Sequence, residues 1–205
     1  MRGGNAGIYL ALRERVLEIR IHGRGGQGVV TAAELLSVAA FREGKYAQAF
    51  PSFGSERMGA PVTSFCRLDG QPIRLREPID HPDVVVVQDP SMLASVDVFA
   101  GLASEGWLLI NSSRGFAELG LGDWVARFPP GHARCVPATE LAREHLGRPL
   151  PNAALLGGFA GLTGAVRLES ITDAIRERFP GAVGDRNAAA AAAAFALSRP
   201  EAVPC

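Results

Sequence analysis

The chain has 205 residues, 47% of them hydrophobic and 20% charged, which suits one well-filled α/β core and is short for two. Its 21 basic and 21 acidic residues cancel and Lys45 is the single lysine, a balance that excludes the basic footprint of a nucleic-acid binder or a membrane-surface patch. Cys66, Cys135 and Cys205 fall in no CxxC or Cys/His spacing, so no zinc or iron–sulfur site is expected in this chain, and a reducing cytoplasm is the expected compartment.

Residues 1–15 open with Met-Arg-Gly-Gly-Asn-Ala-Gly and hold only one short apolar stretch, Ile8–Leu12, without a small-residue cleavage pattern. They read as a flexible extension, and with no apolar run of about eighteen residues the protein is expected to be neither secreted nor embedded in a membrane. The domain is expected to span 16–199, with 200–205 as a tail. Val16, Ile19 and Ile21 predict a first strand, which runs into Gly23-Arg24-Gly25-Gly26-Gln27-Gly28. From Val29 to Phe41 the only polar residues are Thr31, Glu34 and Ser37, three apart, so a helix here shows one thin polar stripe and buries the rest. Gly44 ends it.

Lys45–Phe50 predicts a second parallel strand beside the first, followed by a long loop, Pro51–Pro61. Asp69-Gly70 lies between Thr63–Leu68 and Pro72–Leu75 and predicts an antiparallel hairpin. Val84–Val87, four valines between turn residues, predicts a strand buried on both faces. A helix over Ser91–Leu102, a strand at Trp107–Asn111, a short strand at Arg134–Pro137 and a helix at Thr139–Leu146 complete this part. After Pro151 the pattern is helical only: Asn152–Gly161, Leu168–Phe179 with Leu168, Ile171, Ile175 and Phe179 on one face, and Asn187–Ser198 with seven consecutive alanines from Ala188. The fold class is therefore α/β: a mostly parallel sheet with flanking helices, an antiparallel hairpin and a helical C-terminal segment.

Gly23-x-Gly25-x-x-Gly28, between strand and helix, has the form of a phosphate-cradling loop, in which a Cβ would block the turn and keep backbone N–H groups from an anion at the helix start. The same spacing also serves a close-packed turn without a ligand. A nicotinamide dinucleotide is disfavoured, because the second strand ends in Phe50-Pro51 with no acid to grip a ribose. A nucleoside triphosphatase is excluded by Val29-Val30 after Gly28 in place of Lys-Ser/Thr.

The loop Phe50–Pro61 carries Phe53, Glu56 and Arg57. Its composition suits an anion- or partner-contacting surface, with Arg57 able to bind a carboxylate or phosphate bidentately, and equally an ordinary solvated loop. Asn111, at a strand end, is read as a turn former or a ligand-facing residue. His22, His81, His132 and His145 have no metal spacing, and no nucleophile–base arrangement is found, so no catalytic or metal residue is assigned.

Gly23-Arg-Gly-Gly-Gln-Gly-Val-Val-Thr-Ala-Ala-Glu, Gly44-Lys-Tyr-Ala-Gln-Ala-Phe-Pro-Ser-Phe-Gly-Ser-Glu-Arg, Gly59-Ala-Pro-Val, Pro72-Ile73-Arg74, Val87-Gln88-Asp89-Pro90 and Asn152-Ala-Ala-Leu-Leu-Gly157 together resemble the gamma subunit of pyruvate and related 2-oxoacid:ferredoxin oxidoreductases. The resemblance covers roughly residues 18–187. It departs at Met58, where the family pattern has a second arginine. The resemblance implies a Rossmann-like domain that packs against alpha-, beta- and delta-type chains and is not catalytic alone. The implied assembly decarboxylates a 2-oxoacid on thiamine diphosphate, passes electrons through iron–sulfur clusters to ferredoxin, and delivers the acyl group to coenzyme A. None of these cofactors is expected to be bound by this chain by itself. Gly23 to Gly28, Phe53, Glu56 and Arg57 are the candidate ligand- or interface-binding residues. The alternatives are a free-standing nucleotide-binding module and the small subunit of an indolepyruvate-type oxidoreductase.

Overall fold

The computed structural model describes residues 16–52 and 58–199. The extension before Val16, the tail from Pro200, and Phe53, Glu56 and Arg57 lie outside the described residues. In chain order the elements are β1 (Leu17–Arg24), α1 (Val29–Arg42), β2 (Tyr46–Pro51), β3 (Pro61–Asp69), β4 (Val84–Val87), a 3-10 helix (Pro90–Ala94), β5 (Trp107–Asn111), α2 (Gly122–Val125), β6 (Ala133–Val136), α3 (Ala138–Leu146), α4 (Asn152–Thr163), α5 (Leu168–Arg178) and α6 (Ala182–Ser198).

The six strands form one sheet in the order β2-β3-β1-β4-β5-β6. β1, β4, β5 and β6 are mutually parallel, whereas β3 runs antiparallel to both β1 and β2. The valine run behaves as strict alternation requires: Val84 and Val86 enter the larger core with α1, α4, α5 and α6, while Val85 and Val87 enter a second core with Leu108, Ile110, Met92 and Val98 on the other face. The thin polar stripe of α1 is where expected, with Ala32, Ala33, Leu35, Leu36, Ala39 and Ala40 buried behind it.

The sheet corrects three expectations. Antiparallel pairing is present, but it joins β3 to β1 and to β2, and Pro72–Leu75 is not a strand. With β1 on one side and β2 on the other, β3 has no free edge left for a partner across Asp69-Gly70, and Pro72, Arg74 and Leu75 are exposed. Lys45–Phe50 supplies β2 but does not lie beside β1; β3 separates them, although two antiparallel steps leave β2 running in the direction of β1.

The third correction concerns Ser91–Leu102, which folds as the short 3-10 helix and then as turns. The cause is Arg20, buried in β1, which donates to the carbonyls of Ile79 (3.3 Å), Val98 (3.2 Å) and Ala100. A buried guanidinium must place all its donors, and the chain over 95–101 is shaped to present carbonyls to it rather than to continue a helix. Helix ends shift modestly elsewhere: α4 continues to Thr163 and α6 begins at Ala182.

Candidate functional site

The parallel strands deliver their carboxyl ends to one edge, where open α/β sheets bind ligands. β1 ends there in the glycine turn, β4 in Gln88-Asp89-Pro90, β5 in Asn111 and β6 in Val136. Because β3 is reversed, its amino end, Pro61, reaches the same edge opposite Arg24.

The turn is closed by Gln27 N–H donating to the Arg24 carbonyl (3.1 Å), while the Gln27 side chain accepts from Arg24 N–H (2.9 Å). Gly26 and Gly28 have φ of 91° and 72°, in the region that only glycine enters without strain. Gly28 caps α1.

The loop before β3 is zipped onto this turn. Gly25 N–H donates to Ala60 O (2.9 Å) and Gly59 N–H to Gly25 O (3.1 Å). Met58, 85% exposed, lays Sδ and Cε 3.0 and 2.7 Å from where a Cβ on Gly26 would stand. The glycine turn and Met58–Pro61, the described end of the Phe50–Pro61 loop, thus lie together.

Arg24 gathers three loops. It donates to Ser91 Oγ (3.1 and 2.9 Å) and Gly59 O (3.0 Å), and its Nε lies 3.4 Å from Asp89 Oδ2. Asp89 also accepts from Gln27 Nε2 (2.7 Å) and Ser91 N–H (2.9 Å). Partial burial opposes its charge, but hydrogen bonds from Ser91 and Gln27 and the Arg24 charge outweigh that and hold its carboxyl below the usual aspartate value. Arg24 is therefore a structural tie, with its charge answered inside the chain.

Beneath the turn, Gln88 donates to the Gln27 carbonyl (3.0 Å). Asn111 donates to Gln88 O (2.7 Å) and Thr139 Oγ1 (2.8 Å) and accepts from Thr139 N–H (3.0 Å), so its job is to cap α3 and brace the β4 end. The sequence pointed to Gly23–Gly28 but not to Asp89, Ser91 or Asn152, which complete this edge. The strand end after four valines was a usable signal for Asp89. Asn152, marked in the sequence only as a helix start and within the Asn152–Gly157 string of the family resemblance, reaches Gly28 as the first residue of α4. Among the described residues no group of three or more His, Cys, Asp or Glu is placed to hold a metal ion, and no helix is long and apolar enough to cross a membrane.

The family model described as pyruvate ferredoxin/flavodoxin oxidoreductase matches residues 18–197. The chain is 53% identical over 180 residues to the pyruvate/ketoisovalerate oxidoreductases common subunit gamma of Thermococcus kodakarensis, covering 88% of this chain and 96% of that protein. It is 48% identical, over the same shares, to the pyruvate synthase subunit PorC of Methanothermobacter marburgensis. The crystal structure of pyruvate oxidoreductase subunit PORC from Thermotoga maritima superposes with a TM-score of 0.75 at 36% identity, covering 90% of this chain and 97% of that one.

Proposed function

Because the chain belongs to the pyruvate ferredoxin/flavodoxin oxidoreductase family, we propose that it is the non-redox gamma-type subunit of a 2-oxoacid:ferredoxin oxidoreductase, with residues 16–199 as its gamma-type domain. In this reading alpha-, beta- and delta-type partners carry thiamine diphosphate and the iron–sulfur clusters. The assembly oxidatively decarboxylates pyruvate or a related 2-oxoacid, reduces ferredoxin and forms acyl-CoA. Set in such an assembly, this chain contributes surface and positioning rather than a reacting group.

The observation that carries the reading is the compound edge in which the glycine turn, Met58–Pro61 and the Asp89–Ser91 segment are tied into one surface by Arg24. Such a surface is built to be met by something, and the glycines let a backbone or an anion approach closely. Gly23 to Gly28, Phe53, Glu56 and Arg57 are assigned as the residues that meet the catalytic chains, near the path of coenzyme A. A free-standing dinucleotide module fits less well. On the side of β1 away from β4 the neighbouring strand, β3, is reversed, so no strand carboxyl end stands directly there to offer a ribose-binding acid.

The test uses the assembled complex. Arg57→Ala and Gly26→Val are expected to raise the apparent KM for coenzyme A at least fivefold or to weaken assembly, with the domain still folded. Normal assembly with unchanged coenzyme A kinetics in both variants would remove this assignment.

A further inference from the structure

β2 ends the sheet on one side, and its outer edge has no neighbouring strand among the described residues. Ser52 N–H donates to the Thr63 carbonyl (2.8 Å), and the β2–β3 register continues from there through Phe50 with Phe65, Gln48 with Arg67 and Tyr46 with Asp69. In an antiparallel pair the residues that exchange bonds alternate with residues that do not. The peptide groups of Ala47, Ala49 and Pro51 therefore point away from β3. They offer the N–H groups of Ala47 and Ala49 and the carbonyls of all three.

Side chains divide in the same way. Ala47 and Ala49 pack against the larger core under α1 and leave little bulk beside the open edge. Tyr46, Gln48 and Phe50 share the opposite face. Phe50 lies against Phe65 with ring centres 5.2 Å apart, and Tyr46 is 48% exposed. Between them the buried Gln48 Oε1 has no partner, an unmatched acceptor that weighs against the fold until something donates to it. Phe41, 74% exposed, and Tyr46 are the only exposed Phe, Trp or Tyr residues among those described, and both flank the turn into this strand.

We propose that two copies of this chain join their β2 edges antiparallel, about a two-fold axis at Gln48, into one continuous sheet. With Gln48 opposite Gln48, Ala47 N–H meets the Ala49 carbonyl of the second copy and Ala49 N–H meets its Ala47 carbonyl; symmetry repeats both bonds. The ladder closes by itself at each end, where the next pair is Lys45 with Pro51. The Lys45 N–H is already held by Ala40 O (3.2 Å), and Pro51 has none.

Across the axis each Gln48 amide donates to the other's Oε1, and Tyr46 stands opposite the second copy's Phe50, an aromatic cross-strand pair. Sliding the two strands to the next register in either direction sets Gln48 against Phe50 or Tyr46 and leaves its Oε1 unmatched. The edge is thus complementary to itself in charge: its outward N–H and C=O dipoles alternate, so a reversed copy meets each with the opposite sign. With 21 basic and 21 acidic residues, two copies also carry no net repulsion. The contact lies on the flank of the sheet and stands whether or not the glycine turn meets a partner.

Sedimentation velocity on the full chain at micromolar concentrations should show a dimer. Ala49→Pro removes an outward N–H without touching the β3 ladder, and Gln48→Glu sets two carboxylates face to face. Each should raise the dimer Kd at least tenfold while the far-UV spectrum and the unfolding midpoint of the monomer stay level. Gln48→Cys should form a disulfide-linked dimer on mild oxidation, well above the level reached by the parent chain, and that linked pair should still assemble with its partner chains. A monomer at every concentration, a dimer indifferent to both Ala49→Pro and Gln48→Glu, or no gain in linked dimer from Gln48→Cys overturns the proposal. Failure of the linked pair to assemble would hand the β2 edge to one of the partner chains, which overturns it too.

Discussion

His22 lies in β1 with its ring between two polar neighbours. Arg20 Nε, which can only donate, is 3.0 Å from His22 Nε2, so that nitrogen is the unprotonated one and Nδ1–H faces Thr63 Oγ1 at 3.3 Å. Burial, and secondarily the Arg20 charge, push its pKa down to about 4. Between that value and the unfolded value of 6.5 the unfolded chain binds a proton that the folded chain refuses. The associated stability is complete above pH 6.5 and is lost as pH falls towards 4, a loss of about 3 kcal/mol. Urea unfolding at stepped pH values should show this slope, and His22→Gln, which keeps an acceptor for Arg20, should flatten it. Sequence spacing showed no metal-binding pattern for His22 and left it structural or solvated, and its pairing with Arg20 was not legible. Two residues apart on a strand share a face, but only the third dimension tells which loop lies over that face.

α4 is buried at all twelve positions, and its glycines are there for contact rather than for flexibility. A Cβ on Gly157 would stand 1.8 Å from the carbonyl oxygen of Ala191, and one on Gly161 2.5 Å from that of Phe195, so α4 and α6 touch backbone to backbone. Gly157→Ala should therefore destabilise the protein by about 3 kcal/mol, the upper range for overpacking. Gly158→Ala, whose methyl group would meet side-chain atoms at 3.2 Å and beyond, should cost distinctly less; equal midpoints in chemical denaturation would contradict this. Helices with clear stripes and stops were the most legible elements, because those signals are local: α1 was placed from one polar stripe and Gly44, whereas the helix expected over Ser91–Leu102 gives way to the 3-10 helix and turns. Strand neighbours were less so. The Asp69-Gly70 signal was genuine turn chemistry, but pairing depends on which sheet edge is vacant, and β3 leaves none.

For the whole molecule, a mostly parallel sheet, its helical cover and the edge where the glycine turn and the strand carboxyl ends gather could be read from strand ends and glycines. The ties across that edge could not, because Arg24, Gly59, Asp89 and Ser91 come from loops separated by long stretches of chain. Several charged groups are engaged in structural pairs, such as Glu18 with Arg67 and Glu43 with Lys45. With the reacting groups carried by partner chains, as proposed above, the chain purified alone should show no 2-oxoacid-dependent viologen reduction, and activity should return when the partner chains are added. Turnover by the isolated chain would refute the division of labour proposed above.

The backbone contact between α4 and α6 also bears on biosynthesis. α4 is apolar around its whole circumference and emerges from the ribosome well before Ala191 and Phe195, the residues whose carbonyls close over its glycines. Until then one side of the central helix has nothing to lie against. The nascent chain must shelter that surface or expose it, so maturation of this subunit is timed by the arrival of its alanine-rich helix.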